Sequence, residues 1–313
     1  MRKTILAIVL VALLPLAAFA RGAGAAESGV GYRPPINIGT KNFTEQYIVG
    51  NLMYLLLKDR GFDVNIKTGL SSTVLREGVV NGDLDLYMEY TGTGWLTHMG
   101  NEFQGESPKE MYNKVEEADA EDGIVWLDPI WCNNTYVIAV PGELAEENDL
   151  ETLSDFAEYV DSQDGQVKIS TTNEFYARPD GIQGLEEHYG FEFAEAAVTP
   201  VQPGVQKKYL IEGQVDCTVP FGTDPEIAKY DWAVMQDDKN FWPPYDLCPV
   251  TRTEVLDANK GLEKALNELV NAFPSDPAEA RQAMIELNAE ADIEKREPEE
   301  VAEDWLKEQG LID

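Results

Sequence analysis

Two cationic side chains follow short apolar runs and are the first candidates for binding a small anion. Lys41 comes after the run that starts at Ile36, and Arg178 comes after a similar run in the second half of the chain. Either side chain can bind a carboxylate, and an arginine can do so through two parallel N–H donors. The helix expected after Asn42 adds the partial positive charge of its N-terminus. These features predict a site for a small molecule with an acidic end.

The sequence lacks the residue patterns that nucleophilic catalysis and zinc binding require. There is no G-x-S-x-G nucleophile elbow, and the two histidines, His98 and His188, stand beside no cysteine. Cys132, Cys217 and Cys248 have neither C-x-x-C nor zinc-ligand spacing. We therefore expect no enzymatic activity, no metal and no cofactor. Whether the cysteines form one disulfide or remain buried thiols stays open at this point.

The elements that must position these side chains alternate between short β-like runs and amphipathic helices. Strands are predicted over Ile36–Gly39, Val64–Lys67 and Leu84–Met88. After a loop at Thr40–Asn42, a first helix ends near Asp59, with Asn42 and Glu45 spaced as a capping box. A second helix covers Thr73–Val80. This β-α-β-α-β order predicts a parallel sheet with helices on both faces.

The same pattern returns in the second half of the chain, at one constant offset and without a gap. At that offset the aligned pairs are Ile38 with Ile169, Thr40 with Thr171, Asn42 with Asn173, Thr68 with Thr199, Gly82 with Gly213, Asp85 with Asp216, and Tyr90 with Phe221. The matches fall at strand starts, helix ends and loop tips, where a repeated unit needs them. They predict two similar α/β lobes with ligand-facing loops at the carboxyl ends of their strands.

The rest of the chain is expected to cross between the two lobes and then wrap around the first. Thr135–Val140 is a β-rich run that leaves lobe I, and Leu247–Thr251 carries the chain back. The last helices are predicted over Gly261–Phe273, Pro277–Ala289 and Pro298–Gln309, with prolines at their boundaries. Lobe I is thus predicted to comprise 32–135 and 247–313, and lobe II 136–246.

The N-terminus and the overall charge indicate where the protein works. Arg2 and Lys3 precede an apolar run, Ile5–Ala20, and small residues that suit cleavage, so residues 1–26 are predicted to be a secretory signal peptide. The protein is then expected to be exported and soluble after cleavage. A formal net charge of −33 argues against nucleic acid as a partner. The dispersed acidic residues suit a salt-rich habitat, although any acidic secreted protein would share them.

Five short motifs resemble one family of binding proteins. They occur in the family's order, from the first strand almost to the returning segment: Ile38–Gln46 (IGTKNFTEQ), Glu89–Thr93 (EYTGT), Asn133–Tyr136 (NNTY), Arg178–Gly181 (RPDG) and Phe241–Tyr245 (FWPPY). The chain resembles the solute-binding proteins of glycine betaine, carnitine and choline ABC importers from about Ile36 to its C-terminus. Trp131 and Cys132 replace residues that are plainer in that family.

The resemblance implies a fold, a ligand site and partners. The fold is the two-lobed type II periplasmic-binding-protein fold, in which each lobe is a mostly parallel sheet flanked by helices and two hinge segments connect the lobes. The ligand would lie between the lobes, its quaternary ammonium in a box of four aromatic rings: Tyr90, Tyr136, Phe221 and Tyr245. Phe221 stands where the family usually has tyrosine. The implied partners are an ABC permease and its ATPase, and we expect a monomer.

Aromatic rings suit this ligand for a physical reason. A trimethylammonium group donates no N–H bond, and each aromatic face attracts it by about 0.5–2 kcal/mol. Lys41 and Arg178 match the family's carboxylate anchors, and the Thr93 hydroxyl is a further donor, which favours glycine betaine over choline. Choline, carnitine and ectoine remain alternative ligands. A sensor of the same ligands, without transport, remains an alternative function.

Overall fold

Residues 34–313 are described by the structure, which is a computed structural model. The predicted signal peptide, residues 1–26, lies outside the described residues. Over residues 34–313, none of the helices is long and apolar enough to cross a membrane.

Within residues 34–313, ten strands build two sheets. In chain order they are β1 Ile36–Lys41, β2 Val64–Leu70, β3 Leu86–Tyr90, β4 Ile124–Trp126, β5 Ala139–Pro141, β6 Ile169–Thr172, β7 Val198–Val201, β8 Cys217–Thr218, β9 Trp232–Val234 and β10 Leu247–Arg252. We call the sheet with the order β2-β1-β3-β10-β4 sheet I, and the sheet with the order β7-β6-β8-β5-β9 sheet II.

The helices connect and cover the strands. They are α1 Thr44–Asp59, α2 Ser72–Asn81, α3 Thr91–Thr93, α4 Pro108–Ala120, α5 Gly142–Asn148, α6 Leu153–Ser162, α7 Asn173–Ala177, α8 Ile182–Tyr189, α9 Val205–Ile211, α10 Glu226–Lys229, α11 Thr253–Ala258, α12 Leu262–Ala272, α13 Pro277–Asp292 and α14 Pro298–Glu308. A π-helical turn, Gly94–His98, continues α3, and a 3₁₀ turn, Glu195–Ala197, precedes β7.

The predicted β-α-β-α-β order is confirmed for the first three strands. Strand β1 pairs in parallel with β2 on one side and with β3 on the other. Strand β10, which returns from the second half of the chain, pairs antiparallel with both β3 and β4. Sheet I is therefore mixed and not wholly parallel, because a returning segment inserts between strands that are consecutive along the chain.

The predicted internal repeat is confirmed by equivalent contacts in the two sheets. In sheet I the backbone N–H of Asn37 donates to Oδ2 of Asp85 at 2.8 Å, and in sheet II the N–H of Lys168 donates to Oδ2 of Asp216 at 2.8 Å. Each bond joins residues 48 positions apart, so the two bonds align at the predicted offset. The sheet orders also correspond, with β1, β2 and β3 matching β6, β7 and β8, and with one antiparallel strand beside the third. The two α/β units therefore have the same strand order and equivalent hydrogen bonds.

Three details of the predicted elements are wrong. Strand β1 runs on through Lys41, where a loop was expected, and the N-cap of α1 is Phe43, which makes no side-chain cap bond. The predicted capping box of Asn42 and Glu45 does not form, because the Glu45 carboxylate turns away from the helix end toward buried donors. Of the β-run expected over 135–140, only Ala139–Pro141 becomes a strand, with Tyr136 in an isolated bridge to Phe221.

The three C-terminal helices pack on sheet I's first helix, as the sequence predicted. Helices α12, α13 and α14 all contact α1, whose apolar face, including Leu52, Leu56 and Leu57, is fully buried. We propose the division of the chain that the sequence suggested, with 32–135 and 247–313 in lobe I and 136–246 in lobe II. The membership of the strands supports it, since sheet I takes β1–β4 and β10 and sheet II takes β5–β9.

Two crossing segments are bonded side by side between the sheets, and together we call them the hinge: residues 130–136 and 243–247. The N–H of Asn133 donates to Oδ1 of Asp246 at 3.0 Å, and the Asn133 side chain accepts from the N–H of Tyr245 at 2.9 Å. Asn133 has a φ of 37°, in the left-handed region that asparagine tolerates better than most residues. Hydrogen bonds of the Asn133 and Asp246 side chains therefore hold the two segments of the hinge together.

Replacing Asp246 by asparagine is expected to stabilise the protein at alkaline pH. Burial raises the pKa of Asp246 to about 6, although the Asn133 N–H lowers it, and Oδ2 lacks a hydrogen-bond partner. The folded state thus favours the protonated acid, an advantage complete below about pH 4 and lost as the pH rises through 6. Asparagine stays neutral, so we expect about 1–3 kcal/mol of added stability at pH 8. Urea unfolding at pH 4 and pH 8 checks this: an equal effect at both values would contradict it.

Candidate functional site

A cavity lies at the carboxyl ends of β1, β3 and β6, whose last residues all line it. This is where open α/β sheets place ligand sites. The seven candidate side chains come together in its wall: Lys41, Tyr90, Thr93, Tyr136, Arg178, Phe221 and Tyr245. The cavity measures about 40 Å³, by a measure in which one water needs about 10–15 Å³. This volume suits a small ligand.

Aromatic rings form the apolar part of the wall. The Tyr136 ring centroid lies 5.3 Å from that of Phe221 and 5.6 Å from that of Tyr245. A fifth ring, Phe43, lies 4.8 Å from Phe221 and 6.3 Å from Tyr90. Sequence reasoning missed Phe43, although it stands inside the first motif, two residues after Lys41. The four predicted rings and Phe43 thus form one continuous aromatic surface, which we call the cage.

Lys41 reaches the cavity as half of a buried ion pair. Its Nζ donates to Oε1 of Glu89 at 2.5 Å, and the other oxygen of Glu89 lies 2.8 Å from Nε2 of His98. Burial alone would raise the pKa of Glu89, but Lys41 and His98 outweigh it and lower that pKa to about 2. The Lys41 Nζ also lies 5.0 Å from the centroid of the Tyr90 ring. A lysine ammonium has three N–H donors, so two remain besides the one that Glu89 accepts.

Arg178 is fixed by a bidentate bond to Asp180. Its Nε and Nη2 donate to the two carboxylate oxygens of Asp180, each at 2.7 Å. The Tyr245 hydroxyl donates to the same carboxylate, and Trp242 Nε1 donates to the Asp180 carbonyl at 3.0 Å. Burial disfavours the charged guanidinium, yet Tyr136 and Asp180 hold the pKa of Arg178 well above its usual range. Arg178 thus stays cationic, with Nη1 as its donor group toward the cavity.

Thr93 and Glu174 both lie near that Nη1 atom. The Thr93 Oγ1 lies 3.4 Å from it, and the Glu174 Oε1 lies 3.7 Å from it. Glu174 also accepts a bond from the Ser72 hydroxyl at 2.6 Å, so a residue of α2 contacts a residue of α7. An acid of the cavity wall therefore competes with any ligand carboxylate for the same guanidinium nitrogen.

The acidic partners of the site were not identified from the sequence. Glu89 and Asp180 neutralise the two predicted anchors, and Glu45 accepts bonds from two residues of the cavity wall, Tyr90 and Asn134. All three lie inside the motifs quoted above or directly beside an anchor. Motif membership was thus the available signal, but it did not say which oxygen faces which nitrogen.

A separate cluster of acids beside the cavity is occupied by a lysine. Asp224, Glu226 and Asp292 have carboxylate oxygens close enough together to hold a cation. Their oxygens lie 3.0, 2.9 and 3.5 Å from Nζ of Lys207, which is almost fully buried. The ammonium supplies the positive charge that the cluster needs. Asp292 belongs to α13, which packs on α1 of the first unit, and Lys207 belongs to α9, which packs on sheet II. The contact therefore joins the two α/β units.

The sulfur atoms do not pair. Cys132, Cys217 and Cys248 are free thiols, and each is buried. The question left open by the sequence is therefore answered in favour of buried thiols. Burial raises the pKa of each of the three, so they are poor nucleophiles.

Comparison with known proteins places this architecture in a defined group. A profile of the family described as "Substrate binding domain of ABC-type glycine betaine transport system" matches residues 34–308. A glycine-betaine-binding protein of Pseudomonas aeruginosa is 32% identical over 298 residues, which cover 93% of either chain. The glycine betaine-binding protein YehZ of Escherichia coli is 30% identical and covers 88% of this chain and 91% of its own.

The solved structures agree with this assignment. A crystal structure described as a glycine betaine/carnitine/choline ABC transporter has a TM-score of 0.68 and 28% identity, and covers 89% of this chain and 100% of its own. The structural neighbours are type II periplasmic binding proteins, so the two-lobed fold that the five motifs implied is confirmed. The family also works with an ABC permease and is extracytoplasmic.

Proposed function

Because the chain belongs to the family of substrate-binding domains of ABC-type glycine betaine transport systems, we propose that it captures a quaternary-ammonium compatible solute, glycine betaine foremost, for uptake. Members of this family bind and release their ligands without converting them, so the chain is a binding protein and not an enzyme. The observation that supports the ligand class is the cage: rings from both halves of the chain surround one small cavity.

The cage suits the cationic end of such a ligand. Phe43, Tyr90, Tyr136, Phe221 and Tyr245 offer π-faces and apolar area to a group that forms no N–H bond. Burial raises the pKa of Tyr90, Tyr136 and Tyr245 well above the ordinary value, so these hydroxyls stay neutral. Each face contributes about 0.5–2 kcal/mol toward a cation, and several faces together favour a bulky, weakly hydrated one.

The polar residues of the cavity suit a single carboxylate. Arg178 Nη1, the Thr93 hydroxyl and the remaining Lys41 donors lie in the same cavity as the cage. Asp180 and Glu89 already neutralise most of the charge of these anchors, so we propose that the ligand carboxylate is bound mainly through directed donors and less through net charge. A small zwitterion such as glycine betaine can contact the cage and these donors at once.

Closure of the two lobes on the ligand is the proposed mechanism. Contacts between the two sheets' units include Ser72 with Glu174, Thr93 with Arg178, and Lys207 with Asp292, at 2.6, 3.4 and 3.5 Å. A ligand that touches residues of both lobes favours the state in which these contacts form. The permease would recognise that closed shape.

The partners are proposed from the same premise. We propose that the exported protein acts as a monomer and delivers its ligand to an ABC permease driven by an ATPase subunit. A gene neighbourhood that encodes a permease and an ATPase would support the importer. A neighbourhood with a membrane receptor in their place would favour a sensor of the same solute.

The ligand class is tested by intrinsic tryptophan fluorescence. Titration with glycine betaine, proline betaine, carnitine and choline is expected to give saturable binding of at least one quaternary amine, with glycine betaine the tightest. Glycine and proline, which lack the quaternary group, are the controls and are expected to bind far more weakly. Saturable binding of a control at equal or lower concentration than every quaternary amine would contradict the proposed function.

Replacing Arg178 by alanine is expected to weaken glycine betaine binding by about 30-fold or more, since a buried charge-assisted bond contributes about 2 kcal/mol or more. Choline has no carboxylate, so its affinity should fall much less. Arg178→Lys keeps the charge but loses the planar bond to Asp180, and it should give an intermediate loss. Calorimetric titration of both ligands checks this. Equal losses for the two ligands would mean that Arg178 has a purely structural role.

A further inference from the structure

One buried acid at the back of the cage has no cation beside it. Glu45 is 2% exposed, and no lysine, arginine or histidine pairs with it among the side chains of residues 34–313. Glu89 and Asp180, which are also buried beside the cavity, are paired with Lys41 and Arg178. A buried carboxylate without a counter-ion is costly unless something stabilises its charge.

Four neutral donors surround this carboxylate. Oε1 accepts from the Tyr90 hydroxyl at 2.7 Å and from Nδ2 of Asn134 at 2.8 Å. Oε2 accepts from the Thr223 hydroxyl at 2.6 Å and from Nδ2 of Asn288 at 3.2 Å. Burial raises the pKa of Glu45, and the bonds from Thr223, Tyr90 and Asn288 oppose that shift. Glu45 also lies in the first turn of α1, where the helix dipole favours a negative charge.

The contact with Tyr90 connects this charge to the ligand cavity. Tyr90 and Asn134 both line the cavity, so Glu45 stands one hydrogen bond behind its wall. A phenol that donates to a carboxylate becomes more electron-rich, and the face of its ring attracts a cation more strongly. The carboxylate also attracts a cation directly through a poorly polarisable interior.

Among the described residues, Asp246 is the one other buried acid near the site that lacks a cation. It differs from Glu45 in its hydrogen-bond donors and in its distance from the cage rings along the hydrogen-bond network. It accepts a backbone N–H in the hinge, and its second oxygen has no partner. It makes no bond to a ring of the cage. Glu45 has donors on both of its oxygens and a direct bond to a cage hydroxyl.

We propose that Glu45 is the counter-charge of the cage: acting through the Tyr90 hydroxyl, it makes the cavity select a cation over a neutral group of the same shape. Glu45 is therefore a positioning and charge-balancing residue that does not touch the ligand. This inference rests on the proposed function, because it assigns a role to Glu45 only if a quaternary ammonium occupies the cage.

The test compares glycine betaine with its carbon isostere, 3,3-dimethylbutanoate, in which a quaternary carbon replaces the nitrogen. Both have the same shape and the same carboxylate, so the ratio of their affinities measures selection for the positive charge. In Glu45→Gln we expect this ratio to fall about tenfold, while binding of the isostere changes little. A purely structural role would weaken both ligands alike and leave the ratio unchanged.

Two further variants keep the test decisive if Glu45→Gln folds poorly. Tyr90→Phe keeps the ring and removes the hydroxyl that joins it to Glu45, so it should also lower the ratio. In the double variant the two losses should be far from additive, because both break the same connection. Asp246→Asn is the matched control: it removes a buried charge that does not contact the cage, and the ratio should stay within about twofold of the wild type.

The outcomes separate the two proposals. If the wild-type protein does not prefer glycine betaine to the isostere, the proposed function fails and the role of Glu45 fails with it. If the wild type shows the preference and both Glu45→Gln and Tyr90→Phe retain it, the proposed function stands and the counter-charge role is overturned.

Discussion

Replacing Tyr136 by alanine is expected to weaken glycine betaine binding by about 100-fold, the size of loss typical of a central aromatic contact. Tyr136 is the ring that joins the parts of the site: its centroid lies near those of Phe221 and Tyr245, and the Arg178 guanidinium carbon lies 5.4 Å from it. Truncation therefore removes a π-face from the cage and a stacking partner from the anchor. Calorimetric titration measures the loss.

Two comparisons show whether the loss comes from the ring. Tyr136→Phe keeps the aromatic face, and we expect its affinity within about fivefold of the wild type. Tyr230→Ala removes a tyrosine that is 40% exposed and lies outside the cavity wall, and it should leave binding unchanged. Near-normal affinity in Tyr136→Ala, with thermal melting intact, would exclude Tyr136 from the cage.

The second large effect concerns stability. Replacing Glu89 by glutamine is expected to cost about 3–5 kcal/mol, because Lys41 would be left buried without its counter-ion. The side chains of Lys41 and Glu89 are 5% and 0% exposed, so water cannot take over the role of the lost partner. The pKa of Glu89, lowered to about 2, gives the pH dependence: its stabilisation is present above about pH 4.5 and is lost as the pH falls through 2.

Urea unfolding at pH 7 measures this cost, and two variants define its origin. Asp257→Asn breaks an exposed ion pair with Lys260 and should have no measurable effect. Combining Glu89→Gln with Lys41→Met removes both charges and should recover much of the stability lost in the single variant. A single variant as stable as the wild type would show that Lys41 finds another partner or loses its proton.

Much of the fold was predictable because it depends on local pattern. The spacing of apolar residues defined β1, α1 and β2, and the return of the same pattern later in the chain predicted the second sheet from the first. The antiparallel insertion of β10 between β3 and β4 was not predictable, since it pairs Val250 with Trp126, far away along the chain. No local period in the sequence encodes such a pairing.

The candidate site likewise has a part that was predictable from the sequence and a part that was not. Sequence reasoning and the resemblance together named seven side chains, and the structure brings all seven to one cavity. Neither could name their partners, because Glu89 reaches Lys41 over 48 positions and Thr223 reaches Glu45 over 178. Contacts between residues so far apart in the sequence depend on how two sheets, a hinge and a C-terminal helix pack together. Which side chains bind the ligand therefore remains a prediction, now with defined atoms.

A crystal structure of the protein grown with glycine betaine tests the central claim most directly. We expect the trimethylammonium group within about 6 Å of the ring centroids of Tyr90, Tyr136, Phe221 and Tyr245, and the carboxylate within hydrogen-bond distance of Arg178 Nη1. Density for the ligand outside this cavity, or with its carboxylate among the rings and its ammonium beside Arg178, would contradict the account.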